Sequence, residues 1–228
     1  MLGRIFASAL FAGVLAGALV TLAQSASLIP MLLEAERFEM GLAPGDIHQT
    51  TVERTASTLM ANVVTAVGFA LMLVGGFALR GGNMNWRLGI VWGLAGYAAF
   101  TVLPGIGLPP LLPGSERPDL FESQDWWLAT AGLSIVGMWL IAFSRAHLLK
   151  LLGAVVIVIP HVIGAPRPDG EGDDVPVDLA WEFIVGTYAV SALFWIVLGA
   201  LAGYFFARRL DGEAADGQIE PVTILVVR

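Results

Sequence analysis

The sequence contains no cysteine and few charged residues, and both shortages restrict the kind of protein it encodes. Without cysteine there are no disulfides, no thiolate metal ligands and no thiol nucleophile. Charged residues make up 14% of the chain, whereas a typical soluble domain contains about 25%. Hydrophobic residues make up 57%, which indicates an integral membrane protein.

The common motifs of catalysis and nucleic-acid binding are also missing. The chain has no glycine-rich phosphate loop ending in Lys-Ser/Thr, no His-Glu-x-x-His pair and no Gly-x-Ser-x-Gly turn. It has no extended basic region that would suit nucleic acid. We therefore expect no enzyme activity, no permanently bound cofactor and no nucleic-acid partner, but a lipid bilayer around the chain.

Apolar runs long enough to cross a bilayer, which takes about 20 residues as a helix, recur along the chain. Helices satisfy their own backbone hydrogen bonds within the hydrocarbon. We predict an all-α polytopic membrane protein with about six transmembrane helices arranged as three helical hairpins. The domain covers residues 1–210, and 211–228 form a short cytoplasmic tail. The predicted spans are 5–29, 57–79, 88–108, 126–143, 148–165 and 180–207.

Charge alternates between the two sides of the predicted membrane. The loops between spans two and three and between spans four and five contain bases and no acid. The other three connections contain nearly every acid in the spanning region, including Glu34, Glu53, Glu116, Asp119, Glu122, Asp125, Asp169 and Asp178. Since short loops rich in Lys and Arg stay in the cytoplasm, we predict a bacterial inner-membrane protein with both termini cytoplasmic.

The first span has some features of a signal peptide. It begins with Arg4, continues apolar and reaches Ala-Gln-Ser-Ala at residues 23–26. Its apolar run is longer than the roughly 7–15 residues of a signal-peptide core, which favours retention. Cleavage would instead leave five spans and an external amino end.

Glycine and proline recur in patterns that bear on packing. The GxxxG pairs Gly13/Gly17, Gly89/Gly93 and Gly199/Gly203 allow helices to approach closely. An aliphatic-proline pair ends each outward-going helix, which is compatible with a hairpin used three times, although proline collects at helix ends for other reasons as well. The segment 103–114 holds four prolines and three glycines, so it cannot be a regular helix throughout and should pack against protein or line a cavity.

Histidine is scarce, so each of the three can be considered by itself. His161 follows Pro160 at the outer end of span five, where an imidazole at membrane depth is a functional-site hypothesis by default. The proline should also interrupt the helix there. The alternative is an interface histidine bonded to a headgroup or a loop carbonyl. His48 follows the first acidic stretch, and His147 lies in a basic loop as a solvated or headgroup-contacting residue.

Carboxylates near the predicted outer surface are the other candidate metal ligands. Glu36 and Glu39 are three residues apart and share a helix face, and Glu182 lies just inside span six. Imidazole and carboxylate without thiolate suit intermediate divalent metals such as cobalt or nickel. We predict a metal site from His161, Glu36, Glu39, His48 and Glu182, with His161, Glu36 and Glu39 converging on an outward-facing cavity between spans one, five and six. The alternative is that these acids are solvated charge.

Polar side chains also occur inside span two. Thr58, Asn62 and Thr65 form one helical stripe. Such residues usually hydrogen-bond neighbouring helices, and lining a transport path is the alternative role.

Short motifs spread over all six spans resemble one known family. They are Leu28-Ile29-Pro30 with Ala35-Glu36-Arg37-Phe38-Glu39; Arg54-Thr55-Ala56-Ser57-Thr58-Leu59 with Asn62; Gly107-Leu108-Pro109-Pro110 with Leu112-Pro113-Gly114; Gln124-Asp125-Trp126-Trp127; Pro160-His161-Val162-Ile163-Gly164-Ala165-Pro166; and Phe194-Trp195 with Leu198-Gly199. Together they resemble the CbtA family of proposed cobalt transporter subunits. The Pro-His-x-Ile-Gly-Ala-Pro element is the most specific.

The resemblance implies a permease subunit for divalent cobalt uptake that serves cobalamin synthesis, with nickel as a second candidate ion. It also implies a small single-span companion subunit, CbtB, that carries histidines, and it leaves a homo-oligomer open. Glu36, Glu39 and His161 are the motif residues that carry over as ligands. Leu111 stands where the family usually has Glu, so no ligand role is expected for that loop. A membrane scaffold or assembly subunit is the alternative function.

Overall fold

The computed structural model describes residues 2–40, 51–168 and 175–216, and this part of the chain is helical with irregular connections. A π-helical turn, Ala98–Val102, joins α3 to α4 without a break. The helices are α1 (Leu2–Met40), α2 (Thr51–Arg80), α3 (Trp86–Tyr97), α4 (Leu103–Gly107), α5 (Leu120–Phe143), α6 (His147–Ile163) and α7 (Val177–Asp216).

Length and composition identify five candidate membrane spans among the described residues, and the shorter apolar α6 accompanies them. The continuous segment Trp86–Gly107 counts as one of the five. The predicted all-α polytopic architecture is therefore confirmed. The first and last helices run well beyond the predicted spans 5–29 and 180–207, because polar residues at their ends continue the helix past the apolar stretch.

The closest packed helix pairs are α1 with α2, α3 with α7, and α5 with α6, and α7 also packs along α1. The first predicted hairpin is therefore a packed pair. The last predicted hairpin, made of α6 and α7, does not form a packed pair. Helix α6 packs on α5, whereas α7 lies between α1 and α3. The chain neighbours α6 and α7 are thus separated, whereas α5 and α6 stay together.

Glycine decides the α3–α7 pairing. A side chain at Gly89 would overlap the Gly199 carbonyl oxygen, and one at Gly93 would overlap the Trp195 carbonyl oxygen. Backbones approach this closely only where neither helix carries a side chain at the crossing. Gly13 of α1 is packed in the same way on Val67 of α2, so the GxxxG pairs act as predicted.

The proline-rich segment after span three changes conformation in steps. The helix continues through Leu103–Gly107 as α4, and residues 108–119 are irregular. Leu112 is almost fully buried and clusters with Leu28, Ala35 and Phe183. The expectation that this segment packs against protein is confirmed, because its irregular backbone lies over α1 and α7.

The antiparallel packing brings like-charged helix ends together. The carboxyl ends of α1, α4 and α6 lie with the amino ends of α2, α5 and α7, as the contacts from Glu36 to Arg54 and from Trp126 to Pro160 require. We call this the acidic end of the bundle. The opposite end carries Arg80, Arg87, Arg145, Lys150 and Arg208, and we call it the basic end.

Candidate functional site

His161 lies in the last turn of α6 at the acidic end. The helix does not stop at Pro160, as predicted, but continues to Ile163 and ends at Gly164, whose φ of 92° only glycine adopts easily. The prediction of a break at the proline is wrong by one turn: Pro160 lacks the amide that would bond the Val156 carbonyl, but the helix continues past it. His161 is consequently held on a regular helix.

The imidazole of His161 is half-buried and edge-on to Trp126 of α5, with ring centroids 5.9 Å apart. Its Nε2 is buried and has no hydrogen-bond partner within the described residues. A buried nitrogen without a partner costs about 1–3 kcal/mol. Arg37 Nε and Ser123 Oγ at the same end are also buried without a partner among the described residues, but of these three atoms the imidazole nitrogen is the one suited to bind a transition metal.

Trp126 holds the site together by contacting three motif segments. Its indole Nε1 donates a hydrogen bond to the Pro160 carbonyl oxygen at 3.3 Å. Gly107 packs so closely on the indole and on Ala165 that any side chain there would overlap both. The Gly-Leu-Pro-Pro, Asp-Trp-Trp and Pro-His motifs therefore meet around His161.

Glu36 is not free to bind a metal without rearrangement. Arg54 donates to both of its carboxylate oxygens at 2.9 Å, and the two side chains are 20% and 21% exposed. Both residues come from the motifs that carry the family resemblance. This ion pair holds α1 and α2 together at the acidic end of their hairpin.

Of the other predicted ligands, the structure describes the side chain of Glu182 alone. Glu182 is exposed on the first turns of α7. The side chain of Glu39 and the whole of His48 lie outside the described residues. Within the described ranges, no group of three or more His, Asp or Glu side chains is placed to hold a metal ion.

A cavity of about 300 Å³ lies deeper in the bundle, between α1, α2, the π-helical turn, α5 and α7. Neither His161, Glu36 nor Glu182 lines it. Its polar lining consists of Gln24, Asn62, Thr65, Thr101, Thr187 and Ser191. Apolar residues complete the wall: Val20, Leu28, Phe69, Phe100, Trp127, Val190, Phe194 and Trp195.

Asn62 organises the polar side of this cavity. Its Nδ2 donates to Thr21 Oγ1 at 3.0 Å and to Gln24 Oε1 at 2.7 Å. The helix–helix bonding predicted for the span-two stripe is thus present at Asn62. Asn62 and Thr65 also line the cavity whereas Thr58 does not, so the path-lining alternative fits the same two residues.

Aromatic rings form the wall toward the basic end. Trp195 is 2% exposed, stacks on Phe100 at 5.6 Å and donates from Nε1 to Thr101 Oγ1 at 3.3 Å. Phe100 and Thr101 both belong to the π-helical turn. Such turns are rare inside α-helices and frequently occur at functional sites, and this one presents two consecutive residues to the cavity.

Sequence reasoning missed four of the polar lining residues, namely Gln24, Thr101, Thr187 and Ser191. The sequence carries some signal for them: Gln24 lies among other polar residues of span one, and Thr187 and Ser191 are four residues apart on one helix face. It does not distinguish a residue facing a cavity from one that bonds its own helix, as Thr21 does to the Gly17 carbonyl.

These features define a multi-pass α-helical membrane protein with a polar cavity among its helices. The family described as "Probable cobalt transporter subunit (CbtA)" matches residues 2–207, and the chain belongs to this family. The resemblance seen in the motifs is therefore confirmed. No curated protein and no solved structure matches the chain.

Proposed function

We propose that the protein is a permease subunit for uptake of divalent cobalt, and that the cobalt supplies cobalamin synthesis. Membership of a cobalt transporter subunit family supports the substrate. The observation that carries the proposal for this chain is the buried, unpartnered Nε2 of His161 at the acidic end. Neutral imidazole is a good ligand for cobalt and nickel alike, so nickel is a second candidate substrate.

The acidic end has the charge to gather cations before they are bound. Exposed carboxylates such as Glu34, Glu53, Glu122 and Glu182 stand there together, and a field of one sign raises the local concentration of the opposite ion. In this proposal His161 receives the ion first. Glu36, Glu39, His48 and Glu182 are the proposed oxygen and nitrogen ligands around it, and Glu36 would have to leave Arg54 to take part.

We place the protein in a bacterial inner membrane with both termini in the cytoplasm, so that the acidic end faces outward. The membrane potential then favours entry of a cation by about 2.3 kcal/mol per charge per 100 mV. A small single-span companion bearing histidines is the proposed partner, in keeping with the word subunit in the family description. A homo-oligomer is compatible with the same arrangement.

The test is uptake of labelled cobalt by cells that lack other cobalt importers, with and without the companion. His161→Ala and His161→Phe should both lose most of the uptake, because both remove the ligand and Phe keeps an aromatic ring beside Trp126. His147→Ala is the matched control, since that histidine is exposed at the basic end, and it should transport normally.

Other outcomes distinguish metal binding by His161 from a packing role, and a permease from a protein that does not transport cobalt. Normal uptake by His161→Phe with loss in His161→Ala would assign His161 to packing and would remove it from the metal site. No uptake by the intact protein with its companion present, despite normal membrane insertion, would reject the permease.

A scaffold or assembly subunit is the second candidate function, and one observation favours it. Helix α6 packs on α5 while Val158, Val162 and Ile163 are 52%, 78% and 77% exposed on its other side. A partner helix could bind there as well as lipid. In that case Val162→Trp would abolish co-purification of the companion, and His161→Ala would leave metal handling intact.

A further inference from the structure

The cavity between α1, α2, the π-helical turn, α5 and α7 has no role in the site around His161. Its described lining residues are all uncharged, and six of them carry a hydroxyl or a carboxamide. A polar cavity among membrane-spanning helices is costly unless water or a ligand satisfies it. Its chemistry therefore bears on what passes through the bundle.

The lining offers oxygen atoms rather than charges. Asn62 Nδ2 makes two hydrogen bonds within the protein, which leaves its carbonyl oxygen as the group available to a guest. Thr187 Oγ1 is buried and has no hydrogen-bond partner within the described residues. The Ser191 hydroxyl lies one helical turn further along α7 on the same wall.

The volume fits a cation that keeps its water. One water molecule occupies about 30 Å³ of liquid, so six waters around an ion need roughly 180 Å³, well within the cavity of about 300 Å³. Neutral hydroxyl and amide oxygens can hydrogen-bond such a shell without displacing it. Carboxylates would bind the bare ion more tightly, and conduction requires binding weak enough for release.

The charge around the cavity favours a cation over an anion as the ion bound there. Carboxylates crowd the acidic end above it, and Leu28 connects the cavity wall to the buried Leu112 cluster beneath that end. The aromatic residues Phe69, Trp127 and Trp195 also line the wall, and aromatic rings attract cations more than anions. An anion would meet none of these favourable contacts.

We propose that this cavity is a second cation site, where a divalent ion rests with its water shell intact between binding at the acidic end and release. The inference rests on the proposed transport function and adds to it a site of different chemistry. At the acidic end the ion exchanges water for imidazole, whereas in the cavity neutral oxygens hold it through water.

Two buried threonines provide a matched test. Thr187 lines the cavity and Thr130 of α5 does not, yet the hydroxyls of both are buried without a partner among the described residues. Valine has nearly the same shape as threonine without the hydroxyl. Loss of one hydrogen bond of about 1 kcal/mol changes binding about fivefold. We expect about fivefold slower cobalt uptake for Thr187→Val, and a change below about twofold for Thr130→Val.

Binding is measured separately on the purified protein in detergent. Trp127 and Trp195 line the cavity, whereas Trp126 lies beside His161. The measurement is therefore made in the His161→Ala background, where CoCl₂, whose ion is paramagnetic, should quench tryptophan fluorescence saturably while MgCl₂ does not. Thr187→Val should weaken this quenching. Ser191→Asp should strengthen it and slow uptake, because a carboxylate in the cavity retains the ion.

The outcomes distinguish this proposal from the transport function. If Thr187→Val and Ser191→Asp leave uptake and quenching unchanged while His161→Ala abolishes uptake, the cavity site is wrong and the permease stands. If the intact protein transports no cobalt but quenching depends on Thr187 and Ser191 as expected, the cavity site is supported and the permease function is rejected. If the intact protein transports no cobalt and quenching does not depend on Thr187 or Ser191, both are rejected.

Discussion

At the residue scale, Glu36 is a candidate metal ligand whose carboxylate is already paired with Arg54. One guanidinium nitrogen of Arg54, Nη2, donates to both carboxylate oxygens of Glu36, each at 2.9 Å. The exposure of the two side chains, about one fifth each, means that solvent screens the attraction only in part. The pair therefore stabilises the α1–α2 hairpin, and any metal at Glu36 competes with it.

Removing Arg54 should destabilise the protein by about 1 kcal/mol, since it leaves a half-buried carboxylate without its donor. The thermal unfolding midpoint of Arg54→Met in detergent should fall accordingly. Glu53→Gln, an exposed carboxylate on the same helix, should leave the midpoint unchanged. Exchanging the two residues, with Glu36→Arg and Arg54→Glu together, should recover most of the loss, and failure to recover would show that the pair is not the cause.

At the element scale, glycine determines which helices are neighbours. The crossing of α3 and α7 depends on Gly89, Gly93 and Gly199, whose backbones are in direct contact. Lipid tails are as apolar as leucine, so close packing rather than apolar burial drives helix association in a bilayer. This is why glycine positions outweigh chain order in the second half of the molecule.

Gly89→Ala should destabilise the bundle by about 1–3 kcal/mol, the usual cost of forcing an extra methyl into a packed interface. Thermal unfolding and size-exclusion behaviour in detergent measure the effect. Gly132→Ala is the control, because nothing lies within 4 Å of a side chain built there. Equal stability of the two variants would mean that α3 and α7 do not cross at this glycine.

The π-helical turn is another feature of this scale. It is held from outside by Trp195, which both stacks on Phe100 and bonds Thr101. Gly96 makes room for that indole, since a side chain there would overlap the ring. A local departure from α-helix thus depends on a residue about 94 positions away.

At the scale of the whole molecule, the separation of acidic and basic ends makes the orientation testable. The absence of cysteine means that a single introduced thiol is the only one in the chain. Glu122 and Lys150 are both exposed, at the acidic and basic ends respectively. In intact cells, a membrane-impermeant maleimide should label Glu122→Cys and not Lys150→Cys.

After permeabilisation both variants should react, which shows that each thiol is accessible. Labelling of Lys150→Cys alone in intact cells would show that the protein has the opposite orientation in the membrane, with His161 at the cytoplasmic face. The proposal of uptake through the acidic end would then fail, since its carboxylates could not gather external cations.

Individual residues of the candidate site could be singled out from the sequence, but not their grouping. His161 was identified because an imidazole in an apolar helix is unusual, and its unpartnered Nε2 agrees with that reasoning. The partner of Glu36 was not identified, because any of several nearby bases could have reached it. The cavity was not identified as one feature, because its walls come from four helices and a π-helical turn.

The sequence by itself determined the class of protein, the approximate spans and the separation of charge between the two ends. These properties follow from composition and run length, because transfer of each helix into lipid depends on its own residues. Only the tertiary structure decided that α7 lies between α1 and α3, that Trp195 holds the π-helical turn, and that polar residues of different spans share one cavity. Those results depend on contacts between distant segments, and the shape of both surfaces at each crossing determines which contacts form.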